Sequence, residues 1–436
     1  MSLNLNTNPM KKQNKISIYA LVIMGLSLIL TSSCKKDNDN SEDSKKSENS
    51  GIVIKGEIST KSSIKAKGVK STNSLTLADA KKILVFSKGY YSLTDIVNNT
   101  FSVTGQINTG VALIFLDANN HYIGNLSSQG LNMLPLGNMK NGENTQIDLS
   151  TLTLVGNSVV PSHDPLGNEI IISATEINSL KNIGAYYESI AKNIDTDNDG
   201  IPDVLSNKQL VIYNIFGIYA GRFGRNDTKP VVNNSSHYYI NYQVEIDGGS
   251  ALTFSNSIVL SGPTDDPYSI ITTWGYKMAP DCGGNRAFIA SFGVMDNAPA
   301  DAPWGTAFLP FRKGTYTLTL DGKQTFTLDY SNLNVKNNLV IVTPTIHTNS
   351  EGKLTSITFE YKLPDGTIIT PASMLTNVMV QLSTNTASQF YNSSRLTSST
   401  GFSTITLSTP IDISTLYQMD VWYDDLLGNQ YDIIWR

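Results

Sequence analysis

From Lys82 onward the apolar residues come in short or alternating runs cut by Gly, Asn, Asp and Ser, with Thr, Tyr, Ile and Val abundant among them. Side chains of a strand alternate between faces, so this pattern builds strands and leaves little room for helices. Ile83–Phe86 and Val111–Leu116 read as buried strands, with Asp117–Asn120 as a turn. Leu134–Leu136 and Ile147–Leu149 read as short strand ends, and Gln209–Tyr219 and Tyr238–Ile246 as strands of a second β unit. Thr315–Leu320 and Thr325–Leu328 flank Asp321-Gly322, the dipeptide that favours a two-residue type I′ hairpin turn. A second hairpin is expected to pair Ile357, Phe359, Tyr361 and Leu363 with Ile368 across Pro364, Asp365 and Gly366. The predicted fold class is mainly β, with two or three β-sandwich domains and a short helical insert.

The insert is the one segment with a clear helical period. Ile177, Leu180, Ile183, Gly184, Tyr187, Ile190 and Ala191 recur at three- and four-residue spacing, which predicts a helix over Ser173–Lys192 with one apolar face. Ser173, Ala174, Thr175 and Glu176 form a capping box: the serine oxygen accepts from the amide of 176, and the glutamate reaches back to the amide of 173. Directly after the helix, Asp195, Asp197, Asp199 and Asp203 place four carboxylates in nine residues, which repel unless a cation neutralises them. Alternate spacing lets the first three converge, Gly200 permits a sharp turn, Ile201 offers its carbonyl and Asp203 completes an oxygen cage. Calcium suits an all-oxygen set, whereas zinc prefers nitrogen or sulfur. The loop resembles the calcium loops of EF-hands, dockerins and thrombospondin type 3 repeats at Asp195, Asp197, Asp199, Gly200 and Asp203. It departs from the EF-hand at Ser206, where that family has a bidentate glutamate. The resemblance implies a single structural Ca²⁺ site, held by Asp195, Asp197, Asp199, Ile201 and Asp203.

The start of the chain is an address. Lys11, Lys12 and Lys15 precede the uncharged, mainly apolar run Ile16–Leu30, which is shorter than the ~20 residues a membrane-spanning helix needs and reads as a cleaved export signal. Leu30, Thr31, Ser32, Ser33 and Cys34 resemble a bacterial lipobox, which implies acylation of Cys34 and membrane attachment through lipid. Lys35–Ser50 has no aliphatic or aromatic side chain and reads as a disordered tether. Its opening, Lys35, Lys36, Asp37, Asn38 and Asp39, resembles the export signal of Bacteroidetes surface lipoproteins, implying an outer-membrane anchor facing the cell exterior. Of the two cysteines, lipidation consumes Cys34, so Cys282 has no partner for a disulfide and reads as a small buried residue.

These readings divide the chain into a signal peptide (1–33), a tether (34–50), a first β-sandwich (51–161), the helix and acidic loop (162–208), a β domain (209–335) and a final sandwich (336–436). The stretch from about Lys55 to Pro161 resembles the prealbumin-like or carboxypeptidase-regulatory-like sandwiches of surface lipoproteins, which implies a noncatalytic spacer. The last hundred residues read as an immunoglobulin-like sandwich from their turn-separated short strands.

Chemistry is harder to find. The formal charge is −5 with no basic stripe, which argues against a nucleic-acid partner. His121, His163, His237 and His347 are scattered and read as surface or turn residues. There is no P-loop, no G-x-G-x-x-G and no G-x-S-x-G. The doublets Asp265-Asp266 and Asp424-Asp425 read as loop acids or solvated turn residues, and on a strand their members would point to opposite faces. Trp274 and Tyr276 on one side of a strand, and Trp304 after the loop Ala298–Pro303, are the candidates for stacking on a glycan or gripping a protein. Trp422 and Tyr423 read as sandwich core and edge. The leading expectation is a noncatalytic, calcium-stabilised lipoprotein that binds a glycan or a protein. A carbohydrate-active hydrolase on a β scaffold and a structural or adhesive surface component are the alternatives.

Overall fold

The computed structural model describes residues 51–59, 75–87, 90–183, 200–202, 205, 335–384 and 390–435, together with the backbone paths of nine strands between 211 and 329. Cys34, Asp195, Asp197, Asp199, Asp203, Asp265, Asp266, Trp274, Tyr276, Cys282 and Trp304 lie outside the described residues. The chain is mainly β, in several sheets, as the residue pattern leads one to expect.

The first body contains β1 (Gly51–Ile58), β2 (Lys82–Ser87), β3 (Tyr90–Asp95), β4 (Thr100–Gln106), β5 (Gly110–Leu116), β6 (Tyr122–Leu126), β7 (Leu134–Pro135), β8 (Gln146–Val155) and β9 (Ser158–Pro161). They form one mixed sheet in the order β3-β2-β5-β6-β9-β8-β1-β4, with β7 added to β5. The sheet curls: Phe101 on β4, at one end, meets Phe115 on central β5 edge-on at 6.0 Å. Alternation puts Phe101 and Val103 inward from β4, while β5 is buried at every position. In β8 the inward phase is Ile147 and Leu149, then Leu152 and Leu154. The skip falls at Ser150, which has φ 54°, and the parallel pairing with β1 shifts register between Lys55 and Glu57. This bulge absorbs one residue, so both halves of a ten-residue strand keep their aliphatic side chains in the core. Asp148 fixes the bulge by accepting from the Ser150 amide at 2.9 Å. That bond, helped by Lys55 against the effect of burial, holds its carboxyl below the usual range.

After α1 (Ala174–Ile183) come β10 (Val211–Arg222), β11 (Val231–Glu245), β12 (Ile258–Ser261), β13 (Ile270–Ile271), β14 (Lys277–Met278), β15 (Ala287–Phe288), β16 (Val294–Asp296), β17 (Thr315–Leu320) and β18 (Gln324–Asp329). The last stretch holds α2 (Val335–Asn338), β19 (Ile341–Thr348), β20 (Lys353–Lys362), α3 (Pro371–Met374), β21 (Leu375–Thr384), β22 (Phe390–Asn392), β23 (Thr404–Asp412), β24 (Leu416–Asp425) and β25 (Gln430–Trp435). A seven-stranded sheet runs β16-β11-β10-β25-β24-β21-β22, so it takes strands from both sides of residue 335. Within it β10 lies parallel to the final strand, from Ile215 beside Gln430 to Gly221 beside Trp435. Separate sheets are β19-β20-β23, β13-β12-β17-β18 and β14-β15.

The inward side of the seven-stranded sheet supplies Val378, Val380, Leu382, Met419, Val421, Tyr423, Tyr431, Ile433 and Trp435. They share one core with Val342, Leu354, Ile357 and Ile405 of the three-stranded sheet. Tyr423 and Tyr431 stack at 4.6 Å, and the Tyr423 hydroxyl donates to the Val340 carbonyl at 2.6 Å just before β19, which ties the two layers together.

Four local expectations are refined. β17 and β18 do pair, but Leu320 faces Gln324, which leaves three intervening residues, 321–323, rather than a two-residue turn; those three lie outside the described residues. Gly366 does turn the chain, with φ 88°, yet Ile368 makes only a single bridge to Lys362 and is 77% exposed; β20 instead finds its partners in β19 and β23. Tyr423 is core and Trp422 is partly exposed. Asp425 is buried on the inward face of β24, not a solvated turn acid.

The two bodies meet with backbone against backbone. A methyl group on Gly137 would fall 1.9 Å from the Ala372 carbonyl oxygen, and one on Gly110 would fall 2.0 Å from that of Leu426. Their buried residues form one continuous cluster. Gly137→Ala should therefore lose about 2 kcal/mol of stability through forced separation at the joint. Urea unfolding checks this, and a variant as stable as the wild type would mean that the Gly137 and Ala372 backbones do not touch.

Candidate calcium loop and its anchorage

The helix ahead of the acidic loop starts as its sequence dictates. The Ser173 hydroxyl accepts from the Glu176 amide at 3.2 Å, and Glu176 Oε2 accepts from the Ser173 amide and hydroxyl at 2.8 Å each. Capping boxes usually sit in solvent, but Glu176 is only 6% exposed and its other oxygen has a second task. Oε1 accepts from the Thr370 amide at 3.2 Å and the Ser373 hydroxyl at 2.6 Å, at the start of α3. One buried carboxylate thus starts α1 and bolts it to the C-terminal sandwich.

The far end of α1 is held by the same sandwich. The Asn429 side chain donates to the Ile183 carbonyl at 3.3 Å, and Asn182 reaches Asn338 of α2 at 3.4 Å. Asn429 is itself positioned by Asp425, which organises the β24–β25 turn. Asp425 Oδ1 accepts from the Leu427 and Asn429 amides at 2.9 Å, and Oδ2 accepts from Asn429 Nδ2 at 3.0 Å and the Tyr431 hydroxyl at 2.6 Å. Burial pushes the Asp425 carboxyl up to about 6, even though these four bonds pull it down. Burial, and then the nearby Asp425 charge, raise the Tyr423 and Tyr431 phenols above their usual value.

The exit of the acidic loop is held by the other body. Gly200 has φ 85°, in the left-handed region that glycine tolerates, and its carbonyl accepts from the Tyr122 amide at 3.0 Å. A methyl group there would press on the His121 ring at 3.0 Å. Ile201 is half-buried, Pro202 is buried, and Leu205 donates its amide to the Pro202 carbonyl at 2.8 Å while packing on the core. The turn that receives Gly200 is built around Asp117. Its Oδ1 accepts from the Asn119 and His121 amides at 2.7 and 2.8 Å, and Oδ2 lies 3.0 Å from His121 Nδ1. Burial works to raise the Asp117 carboxyl, but the His121 amide, the His121 ring and the Asn119 amide together outweigh it and hold it below its ordinary value.

Of the expected calcium ligands only Ile201 is described, and the expected ring-stacking residues and the lipidation cysteine are not. Among the described residues no three His, Cys, Asp or Glu side chains converge as a metal site. Among them, too, no helix is long and apolar enough to cross a membrane. His163 faces Glu169 at 2.9 Å and exposed His347 faces Thr358 at 3.0 Å, so these two serve local contacts. The Asp425–Asn429 cluster was missed in sequence because its burial comes from strands and a helix far away in the chain.

No protein-family model matches the chain, and no curated protein matches it. Among solved structures it is similar to a DUF3823 family protein from Bacteroides ovatus, at 9% identity over 64% of this chain and 96% of that one, with a TM-score of 0.14. It is also similar to a tetra-tandem repeat from the extending region of a large adhesion protein, at 9% identity over 88% of this chain and 73% of that one, again with a TM-score of 0.14. The full-length major pilin SpaD of Corynebacterium diphtheriae matches at 8% identity over 86% and 87% of the two chains, with the same TM-score of 0.14. Superpositions this loose carry no weight for fold or function.

Glu176→Gln swaps one acceptor oxygen for a donor amide amid four donors, and should lower stability by about 2–3 kcal/mol, measured by urea unfolding. An unchanged midpoint would remove Glu176 from the joint. For Asp425 the folded state holds its proton more tightly than the unfolded chain. Its contribution to stability therefore falls as pH rises from about 4 through 6 and is recovered on acidification. The difference between wild type and Asp425→Asn should follow that slope, on the order of 2–3 kcal/mol across the window. A difference flat with pH would place the carboxyl in a wetter site.

Proposed function

We propose that this chain is a noncatalytic lipoprotein of the cell surface, attached through lipid on Cys34, in which one calcium ion locks the connection between two β bodies and leaves a face free to bind a glycan or a protein. The observation that carries the reading is the split anchorage of the acidic loop. Its entrance, at Ile183, hangs from the C-terminal sandwich through Asn429, while its exit, at Gly200, hangs from Tyr122 of the first body. The segment pinned at both ends to different bodies carries Asp195, Asp197 and Asp199, with Asp203 just beyond the Gly200 anchor, and a hard cation would relieve their repulsion by gathering the oxygens at the joint. The left-handed backbone at Gly200 is what the sharp turn of such a loop requires.

Calcium in this reading is structural. The loop lacks a glutamate at Ser206, so it has no arm with which to pull a helix on binding, and the helix before it is already fixed at both ends. Trp274, Tyr276 and Trp304 are the aromatic side chains assigned to the binding face, because flat rings bury much apolar area with few rotors. Attachment through Cys34 needs more than one acyl chain, since each buried methylene adds ~0.8 kcal/mol and a single chain holds only transiently.

Two measurements test the proposal. In ~10 mM Ca²⁺ the protein should be about 1.5–3 kcal/mol more stable than in EDTA, given the ~10⁻⁴ to 10⁻³ M affinities of extracellular calcium modules. EDTA should also open a protease site between residues 184 and 210. Identical melting and cleavage in the two conditions would end the calcium reading. Separately, labelled palmitate should enter the wild-type chain and be lost, together with membrane fractionation, in Cys34→Ala. Equal labelling of the variant would end the anchor reading.

A further inference from the structure

Strand β24 separates its two neighbouring aspartates by face. Asp425 points into the core, while Asp424 and Trp422 lie on the outer face two residues apart, ~7 Å along the strand. In register, Asp424 stands between Asn377 of β21 and Gln430 of β25, and Trp422 between Met379 and Asp432. Asn377 Nδ2 donates to Asp424 Oδ2 at 2.8 Å and Gln430 Nε2 to Asp424 Oδ1 at 3.1 Å. Arg395 Nη1 approaches Oδ2 at 3.9 Å, with its side chain 50% exposed against 13% for Asp424. Trp422 packs on the core yet stays partly exposed.

We propose that this outer face, with Trp422, Asp424, Asn377, Gln430 and Arg395, is a glycan-binding site in which the indole stacks on a pyranose ring and the planar polar groups take its vicinal hydroxyls. The proposal rests on the glycan-binding part of the reading above but places it on residues other than Trp274, Tyr276 and Trp304. A pair of neighbouring hydroxyls needs acceptors and donors side by side. Asp424 offers acceptor lone pairs, the second N–H of Gln430 and the Arg395 guanidinium offer donors, and Asn377, whose two N–H groups go to Asp424 and Thr376, holds the carboxylate in place. Hydrogen bonds to Asp424 already fix the two amides, so binding forfeits little of the freedom usually lost when a side chain is ordered. The indole supplies the apolar surface and a ring face for the sugar's C–H groups. A protein partner fits less well: stable protein contacts bury about 800 Å² per side around an apolar centre, and here a single indole is ringed by polar groups. Stability alone explains little of Arg395's place here, because a long ion pair from a half-exposed arginine adds little to folding.

The test uses the full processed chain on an oligosaccharide array, followed by calorimetric titration with the sugar that binds best. Arg395→Ala should weaken binding at least tenfold with melting unchanged, Asp424→Asn should weaken it as much at some cost in melting temperature, and Trp422→Ala should abolish it. Arg395→Ala keeps the test decisive if removal of the half-buried indole disturbs folding. Binding that survives within twofold in both Arg395→Ala and Asp424→Asn while Trp274→Ala loses it overturns this site and leaves the glycan reading standing. A wild-type chain that retains no sugar overturns both. Blockage of the face by a protein ligand, with no sugar competing, overturns the choice of glycan.

Discussion

The most demanding polar contact at the joint between the two β bodies is the Glu176 carboxylate. Four donors from three separate residues converge on its two oxygens, one pair from the start of α1 and the other from the start of α3. A buried charge is expensive to desolvate, and only near-complete hydrogen bonding makes it tolerable. That requirement is also what makes the joint specific. If α1 slid along the C-terminal sandwich, Thr370 and Ser373 would leave, and the carboxylate would sit buried with half its partners gone. Apolar packing tolerates many small displacements. This charge tolerates few, so it fixes the register of the helix that leads into the acidic loop.

Local chemistry was legible in the sequence wherever one short segment both makes and satisfies the demand. The capping box at Ser173 and Glu176, the turn at Asp117–Asn120 and the buried strands around Leu84 and Leu113 are of this kind. Their partners lie within a few residues, or their burial shows as an unbroken apolar run. The other half of Glu176's bonding is about two hundred residues away, at Thr370 and Ser373. No periodicity can announce it. The parallel pairing of β10 with β25 is equally silent, because strand chemistry says which segments pair but not with whom. The Ile357–Ile368 hairpin shows the opposite failure. Its turn residues do turn the chain, but the run after them ends at Pro371, which starts α3. β20 therefore spends its hydrogen bonds on strands that the local pattern did not offer.

For the acidic loop, the spacing of its carboxylates is a sequence property, whereas its consequences depend on what holds its ends. Gly200 could be assigned as a turn glycine from the pattern alone. That its carbonyl is taken by Tyr122, beside a turn folded round Asp117, required the fold. Asp117 is itself almost fully engaged by its own turn, which makes that surface a rigid seat for the loop's exit. Ile183 is held by Asn429 and Gly200 by Tyr122, so the two ends of the stretch that carries Asp195, Asp197 and Asp199 rest on different bodies.

The doublet at 424 and 425 shows how far a single residue step carries. On a strand the two carboxylates must face opposite ways, one into the apolar core and the other onto a face built of polar side chains. Asp425 falls on the core side, where burial raises its proton affinity and it is kept because it orders the turn that carries Asn429. Asp424 falls on the other face, mostly covered, where two side-chain amides satisfy its oxygens. Read as composition, the pair is two negative charges near a chain end. By the period of the strand, one is a fastener of the core and the other an amide-held acceptor at the edge of a partly exposed indole. The chemical roles diverge although the residues are identical, because adjacent strand positions face opposite ways and meet different partners.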